Sequence, residues 1–185
     1  DMSTRSPSAA EASTIKGAAM PAPPLCLYGF RMRQGHRSGP KRSARGLEGF
    51  SQGGRGATRY MFKYPELFST VAAGGASYTM EKLIQGNNGI EDDPRDNDEA
   101  IYYVGEGNDA WSLAKAHKHS GKSTPKLLLW SGKDDMNFKS IEEYSAYLDK
   151  LLLEHNFLAI EGIDHNPFLF YEKAGERLIR FHQDN

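Results

Sequence analysis

The chain has 185 residues, a formal net charge of −1 at pH 7 and a single cysteine, Cys26, and these properties exclude several classes of protein. The length suits one domain with a substantial core, and the near-zero charge gives no indication of a nucleic-acid partner. No stretch approaches the roughly 20 consecutive apolar residues of a membrane span. One cysteine excludes an intrachain disulfide and argues against a thiolate metal site. Both a cytoplasmic and a secreted or periplasmic location stay open.

Residues 1–43 are predicted to be an irregular, low-complexity segment. They are rich in Ser, Ala, Pro, Gly and Arg, and their prolines interrupt any helix or signal-peptide core. The basic stretch 31–42 has the charge of a nucleic-acid arm but lacks interleaved aromatic residues, so a disordered segment is the favoured interpretation. We therefore place the folded portion at residues 44–185 and expect the chain to be a fragment with a truncated N-terminal region.

A Gly-x-Ser-x-Gly pattern lies at residues 49–53, between a strand-like and a helix-like stretch. Residues 44–50 are predicted as the strand and residues 55–64 as the helix. A sharp turn of this kind presents a serine nucleophile, here Ser51, in a strained backbone conformation. Both glycine positions of the pattern, 49 and 53, are expected to require a small residue, because the strand and the helix pass close to each other there. An ordinary glycine-rich turn is the alternative interpretation.

Further strand-like and helix-like stretches alternate along the chain, which predicts a parallel sheet covered by helices. The predicted strands are residues 68–75, 125–132 and 156–163, and the predicted helices are residues 108–119, 141–155 and 167–182. Residues 78–107 are predicted to be an acidic, glycine-rich insertion. Its carboxylates lack the spacing of a calcium loop and are expected to be solvated. His117 and His119 point to different sides of a helix, so no metal site is predicted there.

The sequence GFSQGGRGA at residues 49–57 is followed by a Tyr-Pro-Glu-Leu-Phe turn at 64–68 and by small residues at 71–76. This succession of motifs around Ser51 resembles the α/β-hydrolase superfamily. This order is similar to that of the esterase family that includes feruloyl and acetyl-xylan esterases and S-formylglutathione hydrolase. The resemblance covers roughly residue 44 to the end. It implies a mainly parallel α/β-hydrolase-type sheet with flanking helices that lacks the N-terminal strands.

A serine nucleophile needs a base within reach and a carboxylate that orients the base. In α/β-hydrolases the chain order is Ser, then Asp or Glu, then His. Two aspartates, Asp134 and Asp135, follow a predicted strand, and the family's acid lies three residues beyond a glycine, here Gly132, which selects Asp135. His165 lies between the last predicted strand and the last helix, where the superfamily has its base. Taken alone, either aspartate is as readily a turn or capping carboxylate.

The resemblance implies a two-step acyl transfer. Ser51 attacks the carbonyl, His165 moves the proton, and Asp135 holds the imidazole in the productive tautomer. The backbone N–H of Gln52 is the expected first oxyanion donor. The second donor is expected upstream of residue 44, where no matching loop is found. No cofactor or metal is needed for this chemistry.

The implied substrate is a small-molecule carboxylic ester. Candidate substrate contacts are Trp111, Asn166 and Phe168, although aromatic residues near strand ends more often belong to the core. The acyl and alcohol groups of the ester do not follow from the sequence, and neither does an oligomeric state.

Three alternatives stay open. The GFSQGG stretch is also similar to the elbow of acyl-protein thioesterases and lysophospholipases, although the Pro-Glu-Leu-Phe turn favours the esterases. Peptidases of the prolyl oligopeptidase type share the order Ser, Asp, His. The third alternative is an inactive truncated hydrolase fragment or an interaction module.

Overall fold

The computed structural model describes residues 41–79, 81–82 and 104–185. The predicted irregular segment lies almost entirely outside these residues. So does most of the predicted acidic insertion, including its cluster of carboxylates.

Four parallel strands alternate with helices in the described part of the chain, as the sequence pattern predicts. A short 3-10 turn (Arg42–Ala44) precedes them. The strands are β1 (Gly46–Phe50), β2 (Thr70–Gly74), β3 (Lys126–Gly132) and β4 (Asn156–Ile160). The helices are α1 (Gln52–Lys63), α2 (Ala110–Ser120), α3 (Phe138–Lys150) and α4 (Pro167–Asp184). The spatial order of the strands is β1-β2-β3-β4, so β1 is at one edge of the described sheet.

Helices cover both faces of the sheet, because side chains of alternate strand residues point to opposite faces. On one face, β1–β3 pack against α1, α2 and α3 around Met61, Leu129 and Tyr144. On the other face, β2–β4 pack against α4 around Trp130 and Phe170. The central strands are therefore buried on both faces, as strands of a parallel sheet covered by helices must be.

Helix α3 differs from its predicted bounds of 141–155. It begins three residues earlier, and it ends at Lys150 because Leu152 adopts a φ of +54°. The N–H of Leu153 then donates to the Leu148 carbonyl, and the N–H of Leu152 donates to the Asp149 carbonyl. These two bonds form a Schellman motif. Glycine usually occupies the left-handed position of this motif. Because a leucine stands there instead, the sequence did not indicate that the helix ends at this point.

A carboxyl group, Glu81, is fully buried beneath α1 and α2. Its Oε1 accepts a hydrogen bond from the N–H of Ala110 at 3.0 Å and lies 3.8 Å from Nε of Arg59. Among the residues that the structure describes, its Oε2 has no hydrogen-bond partner. Removal from water raises the pKa of Glu81 to about 7, against the opposing charges of Arg55 and Arg59.

This carboxyl makes stability pH dependent. The folded state holds the proton more tightly than the unfolded chain, so stability is lost as the pH rises from about 4.3, the ordinary pKa of Glu, to about 7. We expect Glu81→Gln to lose less unfolding free energy than the wild type between about pH 5 and about pH 8, by on the order of 2 kcal/mol. Denaturant titrations at both pH values measure this difference. Glu154→Gln, at an exposed position, is the matched control; equal slopes in all three proteins would contradict the prediction.

Candidate active site

Ser51 lies at the sharp turn between β1 and α1. Its φ is 57° and its ψ is −118°, an unusual conformation for a residue other than glycine. Such a backbone costs on the order of 1–3 kcal/mol and persists only where the surroundings impose it. Here the Ser51 N–H donates to the Gly74 carbonyl at 2.8 Å, and the Ser51 carbonyl accepts from the Arg55 N–H at 3.2 Å. The predicted strained turn is therefore present and is held at both sides.

The close passage of strand and helix depends on two glycines, only one of which the pattern identified. A Cβ on Gly49 would meet the carbonyl of Gly53 more closely than real Cβ atoms come. A Cβ on Gly53 would meet nothing within 4 Å, so the prediction that this position must be small is wrong. The constrained helix residue is Gly54, whose Cβ would lie 2.5 Å from the Gly74 carbonyl oxygen. With 3.6 residues per turn, the helix directs Gly54 rather than Gly53 towards β2.

The carboxylate of Asp135 lies on the loop that follows β3. Its side chain is 1% exposed, and its Oδ1 accepts a hydrogen bond from the backbone N–H of Asn137 at 2.8 Å. The loop passes close to the turn after β4, because the N–H of Asp134 donates to the Ile163 carbonyl at 3.1 Å. Asp134 itself is exposed. The structure therefore directs the carboxylate of Asp135, and not that of Asp134, towards His165 in the turn after β4.

His165 connects the carboxylate to the serine. Its Nδ1 lies 2.9 Å from both carboxylate oxygens of Asp135, and its Nε2 lies 3.1 Å from Oγ of Ser51. A carboxylate only accepts hydrogen bonds, so Nδ1 carries the proton and Nε2 accepts from the serine hydroxyl. The histidine side chain is 24% exposed, whereas the carboxylate behind it is enclosed. This arrangement can take a proton from Ser51 and stabilise the imidazolium that results.

Parallel strands explain why residues so distant in sequence meet. The turn after β1, the loop after β3 and the turn after β4 all follow the carboxyl ends of their strands, and in a parallel sheet these ends share one edge. Ser51, Asp135 and His165 come from these three connections.

The other predicted site residues have different surroundings. Trp111 packs its ring against Tyr144 and Tyr147, and its Nε1 donates to the Tyr78 carbonyl at 2.9 Å. These contacts give Trp111 a role in the core on the α1–α3 face; its proposed substrate contact stays a prediction.

Two predicted residues lie near the start of α4. Asn166 caps this helix, since its Oδ1 accepts from the Leu169 N–H at 3.1 Å. Phe168 is 85% exposed, three residues after the histidine.

Gln52 is the first residue of α1, directly after the serine, so its N–H belongs to the free N-terminal end of that helix.

Two residues at the site were missed by sequence reasoning. The Phe50 ring lies 4.5 Å from the His165 ring, centroid to centroid, and stacks on Trp130 at 5.4 Å. Asn137 contacts Asp135 through its backbone and the Gly75 carbonyl through its side-chain amide, at 2.9 Å. The period of two in β1 places Phe50 on the α4 face, but nothing in the sequence indicates the contact of Asn137.

Within the described ranges, no group of three His, Cys, Asp or Glu side chains is arranged to hold a metal ion. Among the helices described, none is both long enough and apolar enough to cross a bilayer.

The sheet order, the flanking helices and the strained serine turn define part of the α/β-hydrolase fold. No protein-family model and no curated protein sequence matches the chain. Solved structures do match it. S-formylglutathione hydrolase of Staphylococcus aureus is 20% identical with a TM-score of 0.60, over 77% of this chain and 52% of that one. The fluorophosphonate-binding serine hydrolase F of Staphylococcus aureus is 21% identical with a TM-score of 0.61, over 77% and 55%.

A ferulic acid esterase is also similar, at 20% identity and a TM-score of 0.59, over 77% of this chain and 52% of that one. The chain therefore has the fold of these hydrolases and spans about half the length of the solved structures that it matches. The four parallel strands of the described residues agree with the mainly parallel sheet that the resemblance in sequence implies.

Proposed function

We propose that residues 44–185 form the catalytic part of a serine hydrolase that cleaves carboxylic esters through an acyl-enzyme. The observation that carries this proposal is the continuous series of contacts from Ser51 Oγ through the His165 imidazole to the Asp135 carboxylate. A serine hydroxyl is a weak nucleophile unless a base next to it accepts its proton. The strained turn at Ser51 supports the proposal because it exposes the hydroxyl to that base.

The proposed reaction has two steps. His165 Nε2 accepts the hydroxyl proton as Ser51 Oγ attacks the ester carbonyl, and the imidazolium is stabilised by Asp135 through Nδ1–H. The imidazolium then gives the proton to the departing alkoxide, which leaves an acyl group on Ser51. Water, deprotonated by the same imidazole, hydrolyses the acyl-enzyme and regenerates the serine.

The negative charge on the tetrahedral oxygen requires hydrogen-bond donors. The N–H of Gln52 is the proposed donor within the described residues, since it follows the serine at the start of α1. The positive end of the helix dipole at this terminus favours the same charge. A single donor is worth about a hundred- to a thousand-fold in turnover, so a second donor from a separate loop would strongly affect the activity of the chain.

The proposed substrate is a small-molecule ester whose leaving group or acyl group meets the side chain of Phe168. This ring is 85% exposed and lies at the start of α4, close in sequence to the base. The solved structures with this fold include proteins named for S-formylglutathione and for ferulic acid, which places small thiol esters and aromatic esters first among compounds to assay.

Covalent labelling with a fluorophosphonate tests the proposal. We expect intact-mass analysis to show one adduct on the wild type, mapped to Ser51, and none on Ser51→Ala. The matched control is Ser145→Ala, because Ser145 Oγ also contacts a histidine nitrogen, Nε2 of His155, at 2.6 Å. That serine lies within α3 and has no strained turn, so its replacement should leave the labelling unchanged.

A folded wild-type chain that takes up no adduct would overturn the proposal and would favour an inactive fragment or an interaction module. An adduct that persists in Ser51→Ala would show that another residue is the nucleophile.

A further inference from the structure

We infer that Asn137 is a positioning residue that fixes the Asp135 carboxylate relative to the serine turn. The inference rests on the proposed function. It starts from an unusual use of this side chain, because Asn137 stands at the N-cap position of α3 but makes no capping hydrogen bond. Its φ of −93° and ψ of 0° are not the extended angles of a typical N-cap. Its Nδ2 donates instead to the carbonyl of Gly75 at 2.9 Å, 62 residues away in sequence.

The carbonyl that Asn137 contacts belongs to a residue that is closely surrounded by other parts of the site. Gly75 follows β2, its N–H donates to the Trp130 carbonyl at 3.0 Å, and its φ is +57°. A Cβ at this position would overlap the ring of Phe50, so only glycine fits between β2 and that ring. The preceding carbonyl, that of Gly74, accepts from the N–H of Ser51. The serine turn and Asn137 are therefore attached to two successive carbonyls at the end of β2.

The backbone of Asn137 contacts the acid directly. Its N–H donates to Asp135 Oδ1 at 2.8 Å, on the same oxygen that lies 2.9 Å from His165 Nδ1. Asn137 thus joins the end of β2 to the carboxylate through one side-chain and one backbone hydrogen bond. Ser51 is therefore hydrogen-bonded directly to the end of β2, and Asp135 is connected to the same end through Asn137. Loss of the amide donor would free the loop after β3 to move, and the carboxylate with it.

The test uses the full chain with Asn137→Ala and, as a second variant, Asn137→Leu, which keeps a branched side chain of similar size without a donor. Asn108→Ala is the matched control, since the Asn108 amide also donates to a backbone carbonyl, that of Glu106, but lies outside the proposed catalytic groups. We expect the rate constant for fluorophosphonate labelling of Ser51 to fall about 10- to 100-fold in both Asn137 variants and to stay unchanged in the control.

Proton NMR gives a readout that a merely structural role would not move. The proton that His165 Nδ1 shares with the Asp135 carboxylate is expected to give a low-field resonance in the wild type and in Asn108→Ala. In the Asn137 variants this resonance should move to higher field or disappear, while thermal unfolding shows that the chains remain folded. If the alanine variant does not fold, the leucine variant carries the measurement.

The outcomes separate the inference from the proposed function. If the wild type is labelled and the Asn137 variants match it in rate and resonance, the positioning role is overturned. If the wild type is not labelled, the proposed function fails and the resonance alone decides: its change in the Asn137 variants supports the positioning role, and its constancy refutes that role. A wild type without the resonance also overturns the inference, because no pair is then present to be positioned.

Discussion

Asp135→Asn is expected to lower kcat/KM for p-nitrophenyl acetate by on the order of 10⁴-fold, with most of the loss in kcat. The carboxylate accepts the Nδ1 proton of His165 and thereby leaves Nε2 free to accept from Ser51. An amide in its place can donate to Nδ1, which favours the tautomer with the proton on Nε2. That tautomer cannot take the serine proton. Steady-state hydrolysis by purified wild-type and variant chains measures the effect.

Asp134→Asn is the matched control for this experiment. The two residues are adjacent, carry the same charge and lie on the same loop, but the side chain of Asp134 is exposed while that of Asp135 is 1% exposed. We expect Asp134→Asn to hydrolyse the ester within about threefold of the wild type, since exposed substitutions away from a site have small effects. Equal losses in both variants would contradict the role assigned to Asp135 and would point to the charge of the whole loop.

The sequence predicted the order and type of the elements well, because burial leaves a strong pattern. Strands such as β3, with the sequence KLLLWSG, are apolar on both faces only where helices cover both sides of a sheet. Parallel strands also bring their carboxyl ends to one edge, so serine, aspartate and histidine at three such ends are expected to meet. These inferences need only the chain order and the apolar pattern.

The details that the sequence did not predict depend on local geometry. Helix α1 begins at Gln52, three residues before its predicted start, because the positive φ of Ser51 turns the chain directly into the helix. The glycines after the serine, which usually indicate a loop, lie inside this helix. In α3, a leucine adopts the left-handed conformation that ends the helix. At both helix ends a residue other than glycine adopts a positive φ, which its residue type does not predict.

The hydrogen bond from the Asn137 side chain to the Gly75 carbonyl also could not be predicted from the sequence, for a different reason. An asparagine just before a helix predicts a cap, and the structure uses the side chain for a bond across the sheet instead. The partner is a backbone carbonyl, which every residue has, so no residue type in the sequence indicates it. Contacts between a side chain and a distant main chain therefore lie beyond what motif spacing can reveal.

Gly49→Ala is expected to lower the free energy of unfolding by about 3 kcal/mol and to slow the labelling of Ser51, whereas Gly53→Ala should raise stability by up to about 1 kcal/mol. The methyl group of the first variant would collide with the Gly53 carbonyl, which is backbone and cannot change rotamer. The methyl group of the second would meet nothing within 4 Å and lies in a helix, where alanine is favoured over glycine. Denaturant unfolding measures both differences.

This pair of variants separates two explanations of the Gly-x-Ser-x-Gly pattern. If both glycines were needed for their own lack of a side chain, both substitutions would destabilise the chain to a similar extent. The structure instead predicts that only Gly49 is needed for this reason, and that Gly54 fulfils the requirement on the helix side, since its Cβ would meet the Gly74 carbonyl. Gly54→Ala should therefore behave like Gly49→Ala. A stable Gly54→Ala chain together with an unstable Gly53→Ala chain would mean that α1 is rotated about its axis relative to β2, and the contacts that hold Ser51 against Gly74 would have to be redrawn.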